Sequence, residues 1–366
     1  MTGCLCRIVL SIMMVILGIA ATCAAAEAGE ESLTLSACAA VLIDGHTGLV
    51  LYGYKATRPL PPASTTKVLT GILGLELGSI SEPVHVDSRS AGIEGTTIYL
   101  QGGDVYRLCD LIKGALISSG NDSASAIAIH LAGDEKKFSA LMNYKAKTLG
   151  CLASRFGNPH GLPQTGHLTT SYDLAVITRY SMQNGLFRSI VGTRSGRIRE
   201  RSKGEVMPLY NTNRLLGHEE MGWRITGVKT GTTSEAGQCL IAAAEKNDQI
   251  LISVVLGSSD RYADTLRVLE YGIKNCHLVL VRRREPLRDV PVWRGSRMTV
   301  AVAPEKDISL LIPPRLLPFL EKRIYLEPYL KAPCARGRKA GRMEILLGNK
   351  VLFQTDLVTL NNVPRG

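Results

Sequence analysis

Ser64 and Lys67 in Ser64-Thr65-Thr66-Lys67 lie three positions apart, a spacing that on a helix sets a hydroxyl and an amine on one face. A serine hydroxyl becomes a nucleophile when a base takes its proton. A lysine serves as that base if burial or positive neighbours depress its pKa enough to leave it neutral. The N-terminus of the same helix would favour a developing oxyanion. Ser119-Gly120-Asn121 offers a second hydroxyl that could relay a proton to a leaving amine, and an amide that could hold a substrate carbonyl. Lys229-Thr230-Gly231-Thr232 offers a cation and hydroxyls for a carboxylate, with a glycine that lets a ligand backbone come close. Taken singly, each has an ordinary alternative: a tetrad expected about once by chance, a helix-breaking turn, and a solvated lysine on a strand.

These residues need elements that bring them together. Ala39 to Tyr54 reads as two apolar strands around the turn cluster Asp44-Gly45-His46-Thr47-Gly48, a hairpin. Pro59, Pro61 and Pro62 stop regular structure ahead of Ser64 to Leu77, whose apolar spacing predicts a buried helix with Ser64 in its first turn. Val105 to Ala132 reads as helix, tight break at Ser118 to Asp122, helix. Lys136 to Leu149 and Ser171 to Gln183 read as helices, the second capped by Thr170 or Ser171. Thr226 to Thr233, Cys239 to Ala244 and Ile250 to Gly257 are glycine-bounded strand patterns, with Lys229 expected on a strand edge. Strands at both ends and helices between them predict an α+β domain built on one antiparallel sheet with a helical cluster. Past Asn275, short runs at Arg297 to Val302, Ile308 to Ile312 and Met343 to Thr355, the last turning at Gly348-Asn349, predict a small β-rich C-terminal domain.

In residues 1–26, Arg7 precedes an apolar run, Ile8 to Ala21, followed by Ala24-Ala25-Ala26; this reads as a cleaved secretory signal peptide rather than a membrane anchor. The residues before Cys23 do not favour a lipoprotein. The expected division is signal peptide 1–26, catalytic domain 27–275 and β-rich domain 276–366. Removing the leader leaves Cys38, Cys109, Cys151, Cys239, Cys276 and Cys334, without metal-ligand spacing and mostly in apolar stretches, so buried thiols are expected and neither a zinc site nor a disulfide is. The net charge of +11 comes without an aromatic-interleaved basic motif, which argues against nucleic acid. Its concentration in Arg194 to Lys203, Arg282 to Arg284 and Arg336 to Arg342 favours contact with an anionic envelope surface, with ordinary solvated charge as the equal alternative.

Serine tetrad, serine trio and lysine triad, in that order in one exported α+β domain, are the motif set of class A β-lactamases and penicillin-binding proteins. The sequence resembles the low-molecular-mass penicillin-binding proteins, serine D-alanyl-D-alanine carboxypeptidases of the β-lactamase/transpeptidase-like superfamily, across nearly the whole mature chain. Phe156-Gly157-Asn158-Pro159-His160-Gly161-Leu162 and Lys229 to Gly237 extend the likeness beyond the motifs. The resemblance implies Ser64 as acyl-ester nucleophile, Lys67 as proton acceptor and Ser119 as relay. It implies Asn121, Lys229, Thr230 and Thr232 as substrate-binding residues, with the backbone N–H groups of Ser64 and Thr232 as oxyanion hole. It implies peptidoglycan stem peptides as substrate, β-lactams as covalent inhibitors and no cofactor. His160 lacks a suitably spaced second histidine and reads as part of a structural turn beside the site.

A class A β-lactamase is the weaker reading, because Cys151 to Gln183 holds no glutamate to position a deacylating water and a C-terminal domain follows. A non-catalytic penicillin-sensing or wall-binding protein is disfavoured by intact Ser64, Lys67, Ser119 and Lys229. Many relatives continue into an amphipathic membrane-anchoring helix, whereas this sequence stops after Val358 to Gly366, which predicts a peripheral or wall-associated enzyme.

Overall fold

The computed structural model describes residues 33–366, so the expected signal peptide lies outside the described residues. The chain divides into two compact units between Ile273 and Lys274. In the first, the order is β1 (Ala39–Asp44), β2 (Val50–Tyr54), α1 (Lys67–Leu77), β3 (Pro83–His85), β4 (Val105–Arg107), α2 (Leu108–Leu116), α3 (Asn121–Ala132), α4 (Glu135–Thr148), α5 (Ser171–Ser181) and α6 (Gly185–Val191). There follow β5 (Ser195–Arg199), β6 (Val206–Tyr210), β7 (Glu219–Glu220), β8 (Trp223–Thr233), β9 (Gly237–Lys246), β10 (Gln249–Ser258) and α7 (Arg261–Asn275).

The expected sheet is present, antiparallel throughout, in the order β2-β1-β10-β9-β8-β7. Strands β1, β9 and β10 are strongly apolar because both faces of the sheet are covered there. On β1, Val41 and Ile43 join the core shared with the helices, while Leu42 on the opposite face meets Gly272 of α7. The β1–β2 turn is held by the Asp44 carboxylate, which accepts from the backbone N–H groups of His46 and Thr47 and from the Thr47 hydroxyl.

The helix expected to begin at Ser64 opens with a 3-10 turn, Ala63–Thr66. Its tighter winding fits the Thr65 and Thr66 hydroxyls, which donate back to the carbonyls of Pro62 at 2.6 Å and Ala63 at 2.9 Å. From Lys67 to Gly74 every residue of α1 is buried. The second apolar stretch begins as strand β4 before it turns helical, and its break lies between α2 and α3. Helix α5 starts on the Thr170 cap, whose side chain accepts from Asp173 N–H.

The second unit contains β11 (His277–Val281), β12 (Arg288–Trp293), β13 (Thr299–Pro304), β14 (Ile308–Ile312), β15 (Leu320–Leu326), β16 (Leu330–Lys331), β17 (Lys339–Leu347) and β18 (Lys350–Thr359). Six strands form one sheet, β15-β17-β18-β13-β12-β16, and β11 pairs with β14. The turn expected at Gly348-Asn349 joins β17 to β18. It is β-rich, as expected, apart from the short 3-10 turn Pro314–Phe319.

Candidate active site

Three stretches far apart in sequence meet beside Ser64. The half-buried Ser64 sits in the 3-10 turn, and Lys67, at the start of α1, is fully buried. Lys67 Nζ lies 2.8 Å from Ser64 Oγ, 2.6 Å from Asn121 Oδ1 and 2.8 Å from the His160 carbonyl oxygen. Asn121 Oδ1 and the His160 carbonyl can only accept, so they use two amine hydrogens. A neutral amine then has its lone pair left for the Ser64 hydroxyl proton. Burial first, and the charge of Lys229 second, hold the Lys67 pKa well below its ordinary value, against a smaller opposing pull from Asp122.

The α2–α3 break supplies the next groups. Ser119 is buried and adopts a left-handed φ of +64°, which turns the chain between two apolar helices. Asn121 opens α3, and its Nδ2 donates to the Glu94 carbonyl at 2.6 Å, so its amide is engaged at both ends. Below it, the buried Asp122 carboxylate accepts from the backbone N–H groups of Ile98 and Leu100 and secures the 95–100 loop. Burial raises its pKa despite those bonds.

Strand β8 forms the facing wall. Residues 229–233 pair with β9 on one side, and β7 reaches only Trp223 and Arg224 on the other. That leaves the expected free edge, which lies against the Ser64 turn. Gly231 is needed there: a Cβ would fall 2.9 Å from Ser64 N and 3.0 Å from Ala63 Cβ. Lys229 is buried, and its Nζ donates to the Thr230 carbonyl at 2.9 Å. Burial and then the neighbouring Arg261 lower its pKa to about 7. Thr230 Oγ1 is 2.6 Å from Thr212 Oγ1, and Thr232 is exposed at the rim.

The Asn158-to-Leu162 turn takes a direct part. Asn158 Oδ1 accepts from Gly161 N–H at 2.7 Å, and Thr70 Oγ1 donates to the Pro159 carbonyl at 2.6 Å, which pins the turn to α1. Gly161, with φ +89°, runs so close to Ala63 that a Cβ would overlap its carbonyl. The His160 ring faces Glu135 at 3.5 Å, while its backbone carbonyl meets Lys67. His167, lowered by burial to about 4 and therefore neutral, bonds Thr66 Oγ1 at 3.1 Å.

Ser64, Ser119, Thr230, Gly231 and Thr232 line one cleft of about 420 Å³, shared with Arg214, Arg261 and Tyr262. The last three carry no local motif and were missed by sequence reasoning. Arg261 Nη1 donates to the carbonyls of Gly231 at 2.8 Å and Cys239 at 3.1 Å, and Nη2 to Thr232 Oγ1 at 2.6 Å. The guanidinium thus braces the strand that faces Ser64. Only the Asp260 cap of α7, accepting from Tyr262 and Ala263 N–H, hinted that a helix begins there. Among the described residues, no His, Cys, Asp or Glu cluster could hold a metal ion.

The family profile described as D-alanyl-D-alanine carboxypeptidase matches residues 24–260, more than half of the chain. The chain belongs to the D-alanyl-D-alanine carboxypeptidase family. A second profile, the C-terminal domain of penicillin-binding protein 5, matches residues 280–365. Similar relatives include the D-alanyl-D-alanine carboxypeptidase DacF of Bacillus subtilis, 30% identical over 92% of this chain and 88% of the relative. Another is the carboxypeptidase DacC of Escherichia coli, 31% identical over 95% of this chain and 89% of the relative. Among solved structures, penicillin-binding protein 5 from Haemophilus influenzae superposes with a TM-score of 0.67 at 25% identity, covering 92% of this chain and all of that one.

Proposed function

We propose that this serine-type carboxypeptidase removes the terminal D-alanine of peptidoglycan stem peptides through an acyl-enzyme on Ser64. Ser64 Oγ attacks the carbonyl carbon of the penultimate D-alanine as its proton passes to Lys67 Nζ. The backbone N–H groups of Ser64 and Thr232 take the charge that develops on the carbonyl oxygen. The C–N bond then breaks, and the departing amine receives the proton from Lys67 through the Ser119 hydroxyl. Lys67, neutral again, takes a proton from water, whose oxygen attacks the ester; the shortened peptide leaves and Ser64 recovers its hydrogen.

Lys229 and Thr230 receive the carboxylate of the terminal D-alanine, with Thr232 at the rim. Asn121 holds Lys67 in place. Contact of its Nδ2 with a substrate carbonyl, the role expected from sequence, requires that group to leave the Glu94 carbonyl. β-Lactams acylate the same serine. Residues 27–275 carry this chemistry and residues 276–366 form the β-rich domain. Export through residues 1–26 places the enzyme beside its substrate, and contact with an anionic envelope surface belongs to the same proposal.

The observation that carries the reading is the buried Lys67 amine, 2.8 Å from Ser64 Oγ and otherwise bonded to two groups that only accept. The test is Ser64→Ala, assayed for D-alanine release from a pentapeptide ending in two D-alanines and for covalent capture of a labelled penicillin. Loss of both, with unchanged melting temperature, is expected; retention of either overturns the assignment.

A further inference from the structure

The positive charge of this protein is segregated. Residues 274–366 hold 18 Lys and Arg against 8 Asp and Glu, whereas residues 1–273 hold 25 against 24. The second unit therefore carries nearly all of the net +11.

Within that unit the charge is unevenly neutralised. Arg323, Lys339 and Arg342 form ion pairs with Glu321, Asp356 and Glu344, all on the β15–β17–β18 side of the sheet. At the other edge β12 runs beside β16, pairing Trp293 with Lys331. There Arg294, Lys331 and Arg338 are without a carboxylate at ion-pair distance among the described residues. The Arg294 guanidinium lies 4.4 Å and the Lys331 ammonium 5.5 Å from the Trp293 ring centroid, so one ring gathers two cations. Arg338 donates to the Lys331 carbonyl at 3.0 Å and brings a third positive group to the same edge.

The chain then turns back on itself, Val292 N–H donating to the Met298 carbonyl at 2.8 Å, so Trp293 to Met298 forms a hairpin tip. Trp293 is 48% exposed and Met298 88%. Two large apolar side chains held out in water among unpaired cations match the side-chain set that settles at a bilayer headgroup layer: an aromatic and an apolar group entering the interface, with cations on phosphates. A hydrated anionic polymer would use the cations but would give Met298 and the indole no apolar surface to enter.

We propose that the Trp293–Met298 hairpin, with Lys331 and Arg338 beside it, is a docking surface for an anionic phospholipid bilayer. The surface lies wholly in the second unit and is independent of the acyl-transfer chemistry, so Ser64→Ala leaves it intact. It gives a physical site to the envelope contact expected from the charge runs: of Arg336 to Arg342, where Lys339 and Arg342 are ion-paired, it keeps Arg338 and joins it to the β12–β16 edge.

The test uses the whole chain with phosphatidylglycerol and phosphatidylcholine vesicles at low and high salt. The sequence has two tryptophans, and Trp223 is 3% exposed, so a fluorescence change on binding reports Trp293. Expected are co-sedimentation with phosphatidylglycerol only, weakened by salt, and a blue shift that Trp293→Ala abolishes. The double variant R294E/K331E should bind tenfold or more weakly, each cation at an anionic surface being worth roughly fivefold. An unchanged far-ultraviolet circular dichroism spectrum and an unchanged melting curve show that the variants keep the second unit folded, and undiminished penicillin capture shows that the first unit is unaffected. Equal binding to phosphatidylcholine, no binding to either vesicle, binding to dextran sulfate but not vesicles, or phosphatidylglycerol binding untouched by R294E/K331E overturns the proposal.

Discussion

Lys67 and Lys229 are both fully buried, and after burial the charge of Lys229 is the largest influence holding the Lys67 amine low. The two ammonium groups oppose each other, so a proton held on Lys229 makes a second proton on Lys67 costly. The proposed chemistry requires a neutral Lys67 beside a charged Lys229.

The pH dependence of acylation follows. kcat/KM should rise with pH as Lys67 is deprotonated and fall near pH 7 as free Lys229 loses its charge. Arg261→Ala removes a positive neighbour of Lys229 and should move the falling limb to higher pH, besides lowering the rate by loosening Gly231 and Thr232. Stopped-flow acylation by a chromogenic penicillin between about pH 5 and 10 measures both limbs. A falling limb that stays fixed in Arg261→Ala would contradict the role given to that charge.

Lys229 also predicts a stability slope. Its pKa is 10.5 unfolded and about 7 folded, so between these values the unfolded chain binds more protons and stability rises with pH. Lys229→Met should be more stable than the parent at neutral pH and should lose this part of the slope. Melting curves of the two proteins across that window, compared as differences, provide the check.

Asn121 tests the base. Asn121→Asp keeps the contact but places a carboxylate 2.6 Å from Lys67 Nζ, which favours the ammonium and should carry the rising limb to higher pH. Asn121→Ala removes an acceptor and the hold on Glu94, and the acylation rate should fall by about 10² to 10⁴, the usual span of general-base contributions. A substrate-binding residue alone would raise KM and leave the rising limb where it was.

Gly231→Ala should separate folding from activity. The added methyl pushes on the Ser64 and Thr65 N–H groups, at 2.9 and 3.1 Å, so the strand edge must back away from the nucleophile. Overpacking of this kind costs about 1–3 kcal/mol, leaving a folded protein with a lowered melting temperature and little penicillin capture.

Much of this architecture was legible because both sheet faces are covered: the runs around Val41, Ile241 and Val254 are strongly apolar, broken only by Ser253 in the last, and bounded by turns. Likewise the Ser64, Ser119 and Lys229 stretches could be placed because each motif is contiguous. The β5–β6 hairpin was not anticipated, since Ser195 to Arg199 runs Ser-Gly-Arg-Ile-Arg, with Ile198 the one buried side chain. Its basic run was therefore read only as charge, for an anionic envelope surface or for solvent, whereas Lys203 is tied to Asp104 at 2.6 Å. Arg261 escaped notice because its contacts are to main-chain carbonyls of residues remote in sequence, and main-chain partners leave no trace in residue types. The same holds for His160, which contributes a carbonyl that any residue possesses.

The burial of α1 decides where this enzyme has freedom to change. Its nucleophile and base are rooted in a helix with every residue from Lys67 to Gly74 inside the core. Substitutions able to reshape that floor would cost the fold before they altered reactivity. Evolutionary escape from β-lactams therefore has to work at the mouth of the cleft, where Arg214 and Thr232 meet solvent and exchange carries little structural penalty.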